Sequence, residues 1–186
     1  MAGVLKAVMH NESRQPTPGV RLAARQALIA RRGCVGQNNQ MLRFDLLPLE
    51  SAGPIKLGIP RHEVASILGL PSKSFKKLAT SKHPTDAFLD SCLQVFYKGD
   101  DPIVDYIEFS RSPQLSVVYK GIDLFQIPAK EMIRRMKDEG DFDCDSEGDP
   151  RSLLFPDLSL SFWRPTADDL YFRTIGLGGV GYYDIT

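Results

Sequence analysis

The sequence predicts an α+β domain in which an antiparallel sheet carries helices packed on one face, built as two tandem helix-plus-strands units. Three observations predict it. Apolar residues make up 42% of 186 residues, with ten Phe, six Tyr and one Trp, enough to fill the core of a single domain. Two Ile-Pro pairs, Ile59-Pro60 and Ile127-Pro128, each open a stretch with apolar residues at helical spacing. Each such stretch is followed by aromatic, strand-like runs punctuated by turn residues.

Taken in order, residues 41–48 (MLRFDLLP) read as a strand and Ser51-Ala52-Gly53-Pro54 as a turn. Pro60 stands at an early helical position, where its missing N–H costs nothing. Val64, Ile67 and Leu68 then recur at helical spacing, and Gly69-Leu70-Pro71 ends the helix. Residues 93–97 (LQVFY) and 103–109 (IVDYIEF) read as strands joined by a turn at Gly99-Asp100-Asp101. Residues 115–119 (LSVVY) form another strand, followed by Gly121-Ile122-Asp123. After Ile127-Pro128, Glu131, Met132 and Met136 fall where Glu63, Val64 and Leu68 fell, at a constant offset of 68. Residues 158–163 (LSLSFW) then match 93–97 as the strand of a second unit. The expected units are 41–122 and 123–186. Helices preceding runs of antiparallel strands argue against a parallel sheet.

Residues 1–40 read as an appendage. They contain no aromatic residue and hold six bases against one acid, a charge of +5, so the other 146 residues carry −5. Arg21 to Arg32 can form a short basic helix. A transit-type or nucleic-acid-binding arm competes there with a passive extension upstream of Met41, and the passive reading is the expectation. An acidic body argues against nucleic acid as the main ligand and suits a basic protein partner. No apolar run is long enough to span a membrane. Cys34, Cys92 and Cys144 show no CxxC spacing, which predicts neither a disulfide framework nor a zinc site and points to a reducing, cytoplasmic setting. Arg31-Arg32-Gly33 before Cys34 does not match a lipoprotein cleavage box.

No complete catalytic or metal-binding constellation stands out, and no cofactor is expected. Gly176-Leu177-Gly178-Gly179-Val180-Gly181 matches GxGxxG in letters, but a dinucleotide site needs a following helix, and a terminal glycine hairpin is the expected reading. Residues 138–149 carry seven acids and no base. Asp141, Asp143 and Asp145 have the spacing of a calcium loop, yet Ser146 and Ser152 replace its glycine and glutamate. A solvated loop competes there with an acidic recognition surface. A Cys92 or Cys144 thiol with His83 as base is a conceivable nucleophilic couple, with a buried thiol the expected reading of Cys92. His10, His62 and His83 have no metal-pair spacing. Lys73, Lys76, Lys77 and Lys82 read as a solvated face, with a nucleic-acid patch as the competing reading. Trp163, Tyr171, Phe172, Tyr182 and Tyr183 make the C-terminal part aromatic, as core or as interface anchors.

The run Gly58-Ile59-Pro60-Arg61-His62-Glu63-Val64, continuing to Ile67-Leu68-Gly69-Leu70-Pro71, resembles the motif G-[IM]-x-x-x-E-V-x-x-[IL]-L-G-x-P. That motif opens BamE-like and beta-lactamase-inhibitor-like domains, which set helices against an antiparallel sheet, sometimes in tandem. The wider run through Phe75-Lys76-Lys77, residues 84–88 and Gly181-Tyr182-Tyr183-Asp184 resembles small cytoplasmic immunity proteins encoded beside bacterial polymorphic toxins. The resemblance implies a non-enzymatic protein that neutralises a cognate toxin domain by occluding its active site. It carries over no catalytic, cofactor or metal residue. The acidity of the body suits a basic toxin such as a nuclease. The expected contact residues are Asp138, Glu139, Asp141, Asp143, Asp145, Glu147 and Asp149, then Trp163, Tyr171, Tyr182 and Tyr183. An envelope-assembly or enzyme-inhibitor-like binding module is the alternative, and an enzyme with a dispersed site around His83 and Cys92 the third reading.

Overall fold

The computed structural model describes residues 41–145 and 150–184. The basic segment 1–40, together with Glu147 and Asp149, lies outside the described residues. The first series of elements is β1 (Leu42–Leu47), β2 (Ser51–Ala52), β3 (Ile55–Lys56), α1 (Arg61–Leu68), β4 (Ser72–Phe75), β5 (Thr85–Phe88), a 3-10 turn (Leu89–Ser91), β6 (Leu93–Lys98) and β7 (Ile103–Ser110). A second series follows: β8 (Leu115–Tyr119), β9 (Ile122–Asp123), α2 (Ala129–Met136), a 3-10 turn (Lys137–Glu139), β10 (Asp143–Cys144), β11 (Ser152–Phe155), a 3-10 turn (Pro156–Leu158), β12 (Leu160–Trp163) and β13 (Thr174–Gly178).

Strands therefore dominate more than an α+β reading expects, and the helices are eight residues each. Punctuation explains their length. Pro60 precedes α1 and Gly69 ends it in the left-handed region at φ 61°. Such short helices are marginal alone and depend on tertiary contacts. In α2 the buried residues Ala129, Met132, Ile133 and Met136 fall at i, i+3, i+4 and i+7, one apolar stripe. In α1 only Val64 is buried.

The strands form two sheets, in the orders β3-β2-β1-β8-β9 and β10-β11-β12-β13-β7-β6-β5-β4. The larger sheet is antiparallel throughout. In the smaller one β1 and β8 pair in parallel, against the antiparallel expectation. The long chain between them permits this, and Phe44, Leu46, Leu115 and Val117 from the pair enter one hydrophobic cluster. Phe44 meets Phe109 of β7 there, with ring centroids 5.1 Å apart.

Residues opposite one another across an antiparallel ladder share a face. Leu153, Phe162, Ile175, Phe109, Leu93 and Phe88 make one unbroken row across six strands. Phe155, Leu160, Leu177, Ile107 and Val95 make the next, which ends on Asp86. Both rows belong to the buried core.

Three readings need correction. Ser51 to Lys56 is a short hairpin of two strands rather than a bare turn. Gly176 and Gly178 lie within β13, a central strand, so the glycine motif is no terminal hairpin. His83 bonds through Nε2 to the Gly99 carbonyl at 2.7 Å, beyond one end of β6, whereas Cys92 precedes the other end. Six strand residues span about 20 Å, so that thiol and imidazole do not meet.

Backbone hydrogen bonds recur along the chain. Arg61 N–H donates to Pro102 O at 2.9 Å, and Ala129 N–H to Leu170 O at 2.7 Å, both ends displaced by 68 residues. Ser110 N–H donates to Cys92 O and Gly178 N–H to Ser159 O, each at 2.8 Å. Where β7 meets β13, Glu108 faces Gly176, Ile107 faces Leu177 and Phe109 faces Ile175, a pairing centred on the first of these.

Candidate functional site

Opposite those two apolar rows, the outer face of the larger sheet carries different chemistry, buried along its centre and exposed at the Asp143 and Lys73 ends. One row crosses all eight strands: Asp143, Leu154, Ser161, Gly176, Glu108, Gln94, Ala87 and Lys73. Beside it runs Ser152, Trp163, Thr174 and Ser110 on one side, and Gly178, Tyr106 and Phe96 on the other.

The glycines of β13 make this face possible. A Cβ on Gly176 would stand 1.8 Å from the Tyr106 hydroxyl oxygen, and one on Gly178 would stand 2.8 Å from the Tyr182 Cβ. With no side chain there, Tyr106 lies across β13 and its hydroxyl reaches Ser161 Oγ at 3.3 Å. Tyr182 stacks on Tyr106 at 4.5 Å between centroids and 4° between planes. Tyr183 stands edge-on to both rings and donates its hydroxyl to Ser161 Oγ at 2.8 Å. Phe96 extends the aromatic group, 5.5 Å from Tyr106. Lys77 lies 4.8 Å above the Phe96 ring and 3.4 Å from the Glu108 carboxylate.

Burial raises the pKa values of Tyr106, Tyr182 and Tyr183. For Tyr183 the hydrogen bonds to Ser161 and Tyr106 work against that rise without cancelling it. All three stay phenols at neutral pH, so the cluster offers hydroxyl donors and ring faces rather than a phenolate base.

The expected contact residues divide. Trp163, Tyr182 and Tyr183 are brought together on this outer face, and Asp143 sits at its edge. Trp163 Nε1 and the hydroxyl of its cross-strand neighbour Ser152 are buried and have no hydrogen-bond partner among the described residues. Tyr171 stands apart, its ring under the Arg111 guanidinium at 4.1 Å. Asp138 and Asp141 are exposed, but Glu139 is held by Lys120 and accepts the Tyr119 hydroxyl at 3.2 Å. Asp145 accepts from Arg151 N–H at 2.8 Å, Ser152 N–H at 3.0 Å and Arg151 Nε at 2.9 Å. The calcium-like spacing thus includes a carboxylate already engaged by Arg151 and Ser152.

A second polar group joins α1 to the sheet. Arg61 grips Asp86 with two bonds, Nε to Oδ2 at 2.9 Å and Nη2 to Oδ1 at 2.7 Å. Ser74 and Tyr97 hydroxyls donate to the same carboxylate at 2.6 and 2.8 Å. Burial works to raise the Asp86 pKa, and the bonds from Arg61, Ser74 and Tyr97 overcome it, leaving it below the usual value. The network forms part of a groove of about 650 Å³ between α1 and β4. Among the described residues, no three His, Cys, Asp or Glu are gathered as a metal site would require.

Sequence reasoning missed Tyr106, Glu108, Ser161 and the Arg61–Asp86 pair. Their partners lie far off in the chain. One signal was present: a glycine pair flanked by strand-forming residues marks a close approach. Comparison with protein-family models, with curated proteins and with solved structures found no match.

Proposed function

We propose that this chain is a non-enzymatic binding protein of the immunity type, which covers the active site of a cognate toxin domain with the outer face of its larger sheet. One observation carries the reading: Trp163, Tyr182 and Tyr183 share that face, bordered by Asp143. Tyr182 is exposed and Trp163 and Tyr183 are half-buried, so the face offers ring area, and aromatic residues anchor interfaces well. Exposed Asp138 and Asp141 in the neighbouring acidic segment would steer a basic toxin. A cytoplasmic setting belongs to this proposal. No described helix is long and apolar enough to cross a membrane.

The tandem architecture belongs here too. The recurring order of helix, short strand, strand, 3-10 turn, strand and strand supports two related units. Backbone bonds repeated at a spacing of 67 or 68 support it further. We place the boundary between Ser110 and Leu115, earlier than residue 122, because β8 takes the place of β1. This favours the inhibitor-like alternative equally, since both act by occlusion.

The test is co-expression with the toxin domain encoded by the adjacent gene. The proposal expects a stable complex and rescue of growth. Failure of both would overturn it.

A further inference from the structure

The two edges of the larger sheet differ in a way that points to a second interaction surface, independent of the outer face. At one edge β10 is two residues long, and Asp145 beside it accepts the backbone N–H groups of Arg151 and Ser152 at the start of β11. At the other, β4 is four residues long with all four exposed, and among the described residues its ladder partner is β5 alone. One side of its backbone is therefore open to a further strand.

Grooves flank this edge. The one of about 650 Å³ lies on the Ser72 and Ser74 side, where the Arg61–Asp86 bonds hold part of its lining rigid. Another of about 440 Å³ lies by Lys73 and Ala87. Side chains of an added strand alternate between faces, so those on the Ser72 and Ser74 side would meet the larger groove and those on the other side Lys73 and Phe75.

We infer that β4 receives an extended segment of a partner protein as a ninth strand, with an acidic side chain in register with Lys73. Charge selects the occupant. Lys73 lies mid-strand and Lys76 follows the strand, both exposed, and neither makes an ion pair within the described residues, whereas Lys77 and Lys82 are engaged by Glu108 and Asp100. A second copy docking edge to edge would bring two such lysine pairs together, a repulsion that guards sheet edges against self-pairing. An acidic segment turns the same lysines into attraction, so they select against one occupant and for another. Phe75 and Leu78, both exposed, would cover the segment's apolar positions.

The experiment uses the full chain and two blocked eight-residue peptides, one alternating Thr and Glu, the other Thr and Lys. Amide resonances and hydrogen exchange of residues 72–75 are followed during titration. The Thr–Glu peptide is expected to perturb and protect these amides and to bind at least about tenfold more tightly than its Lys counterpart. N-methylation of alternate peptide amides should abolish binding. The double variant K73E/K76E should reverse the preference, a gain that misfolding cannot imitate. No binding by the Thr–Glu peptide, equal binding of both peptides, or perturbation elsewhere would overturn the inference. So would protection of residues 72–75 that grows with protein concentration alone, which would make a second copy the occupant.

Discussion

A methyl group at position 176 would meet both the Tyr106 hydroxyl and its ring carbon Cζ, at 1.8 and 2.5 Å. Neither can retreat easily, because Tyr106 is sandwiched against Tyr182 and only 3% exposed. Gly176→Ala is therefore expected to cost about 1–3 kcal/mol, the usual penalty of overpacking. Chemical denaturation checks this, and the penalty should shrink in a Tyr106→Ala background, where the ring is gone. Asp86 gives a pH prediction. Its folded pKa lies below the ordinary value near 4, so its stabilisation is complete above that value and is lost as pH falls through the folded one. Asp86→Asn should cost about 2 kcal/mol at pH 7, from weakened charge-assisted bonds. Denaturation at a series of pH values should show the gap from the parent closing on acidification. A gap that stays constant down to pH 2 would contradict this assignment. Neither residue was legible. The letters GxGxxG suggested a nucleotide or a hairpin because Tyr106, the ring they accommodate, lies in another strand. Asp86 went unremarked because nothing local reveals that it ends an apolar row.

Elements were legible where local chemistry decided them. The Ile-Pro openings, Gly69 and the strands around Val95, Ile107 and Val117 stand as expected. β5 and β11 escaped notice because each is buried along its whole length, which erases the alternation that marks a half-exposed strand. β13 escaped because its glycines read as turn. The two-unit proposal makes a prediction at this scale. By register, Leu153 stands in the second series where Asp86 stands in the first, and Ala129 where Arg61 stands. The double replacement Arg61→Ala, Asp86→Leu should then lie within about 1 kcal/mol of the parent, since a buried pair can give way to apolar contact. Asp86→Leu alone should cost about 2 kcal/mol or more, by leaving the Arg61 guanidinium without its carboxylate. Thermal unfolding of the three variants checks both. A double variant as weak as the single one would count against the equivalence.

At the scale of the molecule, composition was a sound guide to one apolar cluster and to an acidic body. It could not indicate two sheets, because the parallel pairing of β1 with β8 joins strands from distant parts of the chain. Nor could it separate Tyr171 from the other aromatic residues, since Tyr183 reaches the face of Trp163 only through its bond to Ser161, two residues before Trp163 in β12. The functional proposal therefore depends on one face of one sheet. Amide hydrogen exchange on the complex of the full chain with its toxin domain tests that dependence most directly. Protection is predicted in residues 141–145, in β12 around Trp163 and in residues 182–184. Protection confined to the five-stranded sheet, or no difference between free and bound protein, would contradict it.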